Sequence, residues 1–496
     1  MAGRILIVVA VPVAIAALVA WLLSPELGLV SERFRVGALS FAVRRLWPSL
    51  GLLAGSLVIA TLAWLPFVWL TRIRHDAPMG AMAAPATIVM RSLAPFWLAL
   101  LVMVVVPVPS RPATEAGNAR TDWAWPALTL GLVIAGLLTQ STYHRLRERR
   151  PMAGAWYRLA EDEWLAALSH QSGVLISSLV MVEAVFGTPG LGRLLAASVT
   201  AADVPMAAAA GFLLVAVSLS IHLAVAMVSA ARGAGHSVED AVPGRADRRA
   251  SAAALIVGGL AIAIALAVAL IPGGDQIPQT PASRLLPPTW PTYPLGTDGL
   301  GRDVAARVSG SIVNALSFGV VVTLIAGVPG IPIGLALTAS PRAAPQLSRA
   351  LDALLAVPPI VIVLLAAALR GPGPLTIGGA IVGYAALRVA RAMADACNGW
   401  RGGDSRRRAA LATGAMSLGV GAGSVMLVEP AASYLGIGFP PTTPSFGDVL
   451  ASATPYLLIS PWLVVIPGLI MTALIAAVRL LGYGLSGMIA GSRSER

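Results

Sequence analysis

The chain has 496 residues, 57% hydrophobic and only 12% charged, with a mean hydropathy of +0.80 and a formal net charge of +12. A soluble domain carries roughly 25% charged residues, so a soluble enzyme is excluded. Continuous apolar runs near about 20 residues also exclude an alternating β-barrel and point to an all-α, polytopic membrane protein.

All 35 basic residues are arginine. Without lysine the chain has no P-loop lysine and no Schiff-base lysine, so ATP hydrolysis is not expected on it. Cys397 is the single cysteine, and His75, His144, His170, His222 and His236 show no ligand spacing, so no disulfide, metal or cofactor is expected. The positive charge lies beside apolar runs. That placement fits membrane topology and anionic lipid rather than nucleic acid.

In chain order, the start "MAGRILIVVAVPVAIAALVAWLL" predicts a retained signal-anchor helix at 5–23. The stretch "SERFRVGALSFAVRRLW", 31–47, reads as an amphipathic helix lying at the interface. Further spans are predicted near 48–70, 87–108, 124–143, 164–187 and 205–230. The polar segment 231–250 then reads as a cytoplasmic linker between six-span halves, 1–230 and 251–496. The second half carries spans near 251–272, 311–338, 351–369, 375–391, 411–428 and 461–482, giving about twelve in all. Arginine runs at 145–150 and 406–408 place those loops inside, with both termini cytoplasmic; they anchor topology and could also dock an acidic partner.

The halves share a pattern. "VMVEAVFGTPGLGRLL" (180–195) and "MLVEPAASYLGIGFPP" (426–441) each set a glutamate near the outer end of a span, followed by an aromatic and Gly-x-Gly. An acid there faces a cavity, a partner or water rather than lipid. Glu183, Phe186, Gly190 and Gly192, with Glu429, Gly436 and Gly438, are therefore candidates for a pathway or outer gate, against the plainer reading of solvated helix ends. In "YPLGTDGLGRDVAARVSG" (293–310) no strand precedes the glycines, so a dinucleotide loop is set aside. Thr297 or Asp298 is expected to cap a helix starting near Gly299, with i,i+4 pairs Asp298–Arg302 and Asp303–Arg307 on one helical surface. The segment is either an ordinary capped interfacial helix or an outer mouth that meets a partner. Gly379, Gly383, Gly419, Gly421 and Gly423 are expected to allow close helix approach. No G-x-S-x-G or H-E-x-x-H occurs, and no enzyme is indicated.

These motifs resemble the dipeptide, oligopeptide and nickel-type permeases of bacterial ABC importers. The 293–310 segment, "VEPAASYLGIGFPPTTPSFGDVLASA" and "PWLVVIPGLIMTAL" carry the resemblance in the second half. "SLAPFWLALLVMVVVP", "WPALTLGLVIAGLLTQSTYHRLRER" and "VEAVFGTPGLGRLL" carry it in the first. The resemblance implies both permease subunits fused in one inner-membrane chain. It also implies a periplasmic or lipid-anchored binding protein outside, and two ATPase subunits inside that hold ATP and Mg. The family's cytoplasmic E-A-A-x-x-x-G motif is degenerate here. Arg408, Ala409, Ala410 and Gly414 keep part of it, and the loop around Arg158 lacks the glycine. The inner loops, 144–163 and 391–414, are expected as a specialised ATPase-docking surface. The alternatives are a permease-derived assembly or sensing protein with altered coupling, and a secondary transporter, which the few charges within the spans disfavour.

Overall fold

The computed structural model describes residues 37–73, 88, 90–106, 123–149, 156–231, 248–270, 281–337, 344–398, 403–440 and 442–490. The predicted anchor at 5–23 and residues 232–247 of the expected linker lie outside them. Apolar residues dominate the long helices, and in lipid a helix satisfies every backbone group within its own segment.

The N-terminal part contains α1 (Ala38–Ile73), α2 (Pro95–Val105), α3 (Ala124–Arg149), α4 (Trp156–Phe186), α5 (Leu191–Thr200) and α6 (Val204–Ala231). The C-terminal part contains α7 (Arg248–Ala269), α8 (Val304–Leu337), α9 (Ala344–Leu355), α10 (Pro359–Arg370), α11 (Pro374–Asn398), α12 (Gly403–Tyr434), α13 (Phe446–Ala453) and α14 (Trp462–Ala490). Among the described residues, 8 helices are long and apolar enough to cross a membrane, or up to 9 if the bent pair α9–α10 is one span.

That pair revises the straight span predicted at 351–369. Its two helices meet at 65°. Pro358 and Pro359 lack N–H groups, and Pro358 disfavours helical geometry at Val357. The span predicted at 87–108 is broken in the same way, with a helical turn at 90–92 ending before α2. Ala94 (φ −72°, ψ 129°) and Pro358 (φ −68°, ψ 124°) take the same extended conformation, and each is followed by a proline in the first helical turn.

Two other expectations change. The described portion of the interfacial segment 31–47 is no separate helix, because α1 runs unbroken from Ala38 through its span. Helix extends into both stretches expected as inner loops. α3 and α4 leave only residues 150–155 between them, and α11 and α12 only 399–402, so Arg158, Arg408, Ala409, Ala410 and Gly414 lie on extensions of long helices.

Candidate functional site

The two parts meet along a reciprocal seam. Each part's last long helix packs on the broken span of the other: α6 on α10, and α14 on α2. Gly211 of α6 faces Leu365, and Gly468 of α14 faces the Trp97 ring; a Cβ at either glycine would collide with its neighbour. Trp97 is buried and donates Nε1 to Val464 O at 3.1 Å. Pro467 opens the α14 hydrogen-bond ladder close to that carbonyl.

The seam also repairs the helix breaks. Arg91 O would bond residue 95 in a continuous helix, but Pro95 has no N–H. Arg479 Nη1 from α14 takes that carbonyl at 2.5 Å. At the other break, Ala356 O and Ile360 N have parted. Ser218 Oγ of α6 donates to the first at 2.6 Å, and Ser177 Oγ of α4 accepts from the second at 3.4 Å. Gly173 of α4 leaves room for the carbonyls of Leu355, Ala356 and Val357. Buried backbone groups left unpaired are costly, so each break depends on the opposite part.

At one end of the seam lie the sequence-predicted glutamates. Glu183 is 0% exposed, and its Oε2 accepts from Gly192 N at 2.7 Å, at the start of α5. Gly190 and Gly192 must be glycine because a Cβ would strike Glu183 and, at 192, Val180. Phe186 is half-buried against the core. α1 holds the same turn: Ser49 Oγ accepts from Leu191 N at 2.8 Å, and Arg45 reaches Pro189 O. Burial and the neighbouring Arg45 charge lower the Arg193 pKa from its ordinary value.

Glu429 is 2% exposed and accepts from Ser433 Oγ at 2.7 Å. Its match to Glu183 is looser than the sequence implies. α4 ends at Gly187 (φ 69°) and α12 at Gly436 (φ 80°), each in the left-handed conformation that glycine tolerates. Gly436 thus corresponds to Gly187 rather than Gly190, and Glu429 lies about one turn deeper than Glu183. Gly438 packs on Ser433, while Gly447 of α13 packs on the Pro430 carbonyl. Tyr434 stacks on Phe96 across the seam, centroids 5.3 Å apart.

The 293–310 segment departs most from expectation. Residues 299–303 form a turn, and the helix begins at Val304, where Asp303 Oδ1 caps it by accepting from Ala305 N at 2.8 Å. Asp298 caps the turn instead, accepting from Leu300 N and Arg302 N. The Asp298–Arg302 pair forms at 2.7 Å, off any helix. Arg307 does not pair with Asp303. It is 2% exposed and bridges Asp298 (2.8 Å), Asp448 (2.5 Å) and Ser452 (2.9 Å). Burial opposes ionisation of Asp298, but the Arg302 amide and the Arg307 guanidinium outweigh it and hold the carboxyl below its usual range. Burial raises Asp303. The paired charges are therefore interior ties rather than surface pairs. Asn314 Nδ2 adds a bond to Pro444 O at 2.8 Å.

Of the glycines, Gly419 meets Gly482, Gly421 meets Thr323 and Gly423 meets Arg479, as expected of close packing, whereas Gly379 and Gly383 face open space. Sequence reading missed Arg45, Ser49, Trp97, Ser218, Asp448 and Arg479. For Arg479 the signal was available, since it is the lone charge in α14.

Comparison with known proteins finds no matching family model. The chain is 32% identical over 225 residues to the di/tripeptide transport system permease protein DppC of Pseudomonas aeruginosa, covering 40% of this chain and 74% of that one. It is 29% identical over 245 residues to the dipeptide permease protein DppC of Haemophilus influenzae, 42% of this chain and 80% of that one. It is 30% identical over 263 residues to the peptide permease protein SapC of Escherichia coli, 46% of this chain and 86% of that one.

Proposed function

Since this chain belongs to the family of dipeptide and peptide ABC-transport permeases, we propose that it fuses two permease units, 1–230 and 251–496, into one peptide-importing pore of the bacterial inner membrane. The chain is a multi-pass permease. Membership in the family implies an ATPase and a substrate-binding protein as partners. Two ATPase subunits would sit on the cytoplasmic side, where both termini lie, and would hold the ATP and Mg. The binding protein would deliver a peptide or related solute to an outer mouth shaped by the segment that Asp298, Arg302, Asp303 and Arg307 hold in place.

The reciprocal seam carries this reading. Transport paths run between related halves, and here each part's last helix completes the broken span of the other. The broken spans act as the hinges, and Glu183, Phe186, Gly190, Gly192, Glu429, Gly436 and Gly438 line the outer gate. The helix extensions bearing Arg158, Arg408, Ala409, Ala410 and Gly414 serve as the ATPase contact. The family gives no support to an assembly or sensing role.

The test is affinity capture of the full chain from native membranes, followed by reconstitution. Co-capture of an ATPase pair and a binding protein, with hydrolysis stimulated by a supplied dipeptide, is expected. Their consistent absence would sink the importer reading.

A further inference from the structure

We propose that Arg479 forms a site for a carboxylate carried by the translocated solute, on the inner side of the seam. This deepens the importer reading and rests on it for the solute's direction of travel.

The argument begins with burial. Arg479 is 7% exposed within an apolar helix, and its Nε is buried with no hydrogen-bond partner. Its hydrogen bond from Nη1 to Arg91 O satisfies a dipole and brings no negative charge. Among the described residues no carboxylate lies within ion-pair distance of it. The charged groups acting on it are two further cations, Arg91 and Arg388. A buried cation among like charges is strongly disfavoured unless an anion joins it. Inside a membrane such a group marks a substrate or ion path.

The position fits. Arg479 is about 26 Å along α14 from Trp462 at 1.5 Å per residue, well past the outer gate. Gly423 of α12 clears space against its Cγ and Nε, so the fold accommodates this side chain specifically. Ile221-His222-Leu223 of α6 holds a matching depth, about 27 Å along its helix. There His222 Nδ1 meets Ser169 Oγ at 2.9 Å. The last helix of each part thus carries a polar group at a similar distance from its own start, but the charge is on one side only. Guanidinium forks recognise carboxylates in two-point fashion, and a dipeptide brings one carboxylate. A lipid phosphate is disfavoured because Arg479 is enclosed by α12 and the Arg91 carbonyl.

The test uses the full chain in nanodiscs, read by thermal shift and tryptophan fluorescence, with dialanine, its C-terminal amide and inorganic phosphate as probes. Discs are made with zwitterionic or anionic lipid. Dialanine is expected to stabilise the wild type in both discs, and the amide is not. Arg479→Gln keeps a donor for Arg91 O but removes the charge. It should retain its melting temperature and weaken dialanine binding by about tenfold to a hundredfold, with partial rescue in Arg479→Lys. Equal binding of the amide, binding unchanged in Arg479→Gln, or stabilisation by phosphate or anionic lipid alone would each overturn the site. If the ATPase pair is captured but dialanine never binds, this inference falls alone. If dialanine binds but no ATPase associates, the importer reading falls alone.

Discussion

Arg307 donates Nη2 to Asp448 Oδ2 at 2.5 Å, a bond between residues 141 apart in the chain. It fastens the start of α8, and through Asp298 the turn before it, to α13. The polar 293–310 segment is therefore held to α13 rather than lying free on the surface.

Arg307→Met is expected to lower stability by about 1–3 kcal/mol, because it removes one of the two cations facing buried Asp298 and cuts the tie to Asp448, while Arg302 and the turn amides still hold Asp298. Asp448→Asn should cost much less, since the Asp448 side chain is 38% exposed and water can replace part of the interaction. Thermal unfolding of the purified chain measures both. Equal effects would show that the tie acts only through Asp448.

Acid should loosen the same segment. The folded carboxyl of Asp298 sits below its ordinary value, so its contribution is full above the unfolded value near about 3.9. The contribution fades as pH falls toward the folded value. Protection of the amides across 296–304, taken relative to their intrinsic exchange rates, should fall below about pH 4 in the wild type. Asp298→Asn should be less protected at neutral pH and lose little further protection in acid.

At the α4–α5 turn, Gly192→Ala places a Cβ against Val180 and Glu183, and should destabilise by about 1–3 kcal/mol. Gly379→Ala, with open space around it, should be neutral or stabilising by up to about 1 kcal/mol. Melting temperatures distinguish the two.

The double variant Glu183→Ala with Glu429→Ala should assemble yet impair peptide uptake. Uptake at the wild-type level would remove both residues from the pathway.

Along the seam, Trp97→Ala is expected to lose about 3–5 kcal/mol. Ser218→Ala, which orphans Ala356 O, should lose about 1–3 kcal/mol. If Ser218 supports a hinge rather than stability alone, its loss should also raise amide exchange at Val357, Ile360 and Val361 while leaving 96–105 unchanged.

Composition and hydrophobic run length determined the all-α membrane architecture and most span positions, because burial in lipid forces helix wherever about 20 apolar residues run together. Repeated short patterns also exposed Glu183, Glu429 and the glycines around them, since a buried acid stands out against an apolar background. What the sequence left open was pairing at a distance. Arg307 lies four residues from Asp303 in sequence, yet tertiary packing placed it against Asp298 and Asp448. Pro95 and Pro358 sit inside stretches that read as continuous spans, and only the fold showed both the breaks and that Arg479 and Ser218 from the opposite part satisfy the freed carbonyls. Local propensity acts over a few residues, whereas a buried charge or an orphaned carbonyl takes its partner from whatever helix packs beside it.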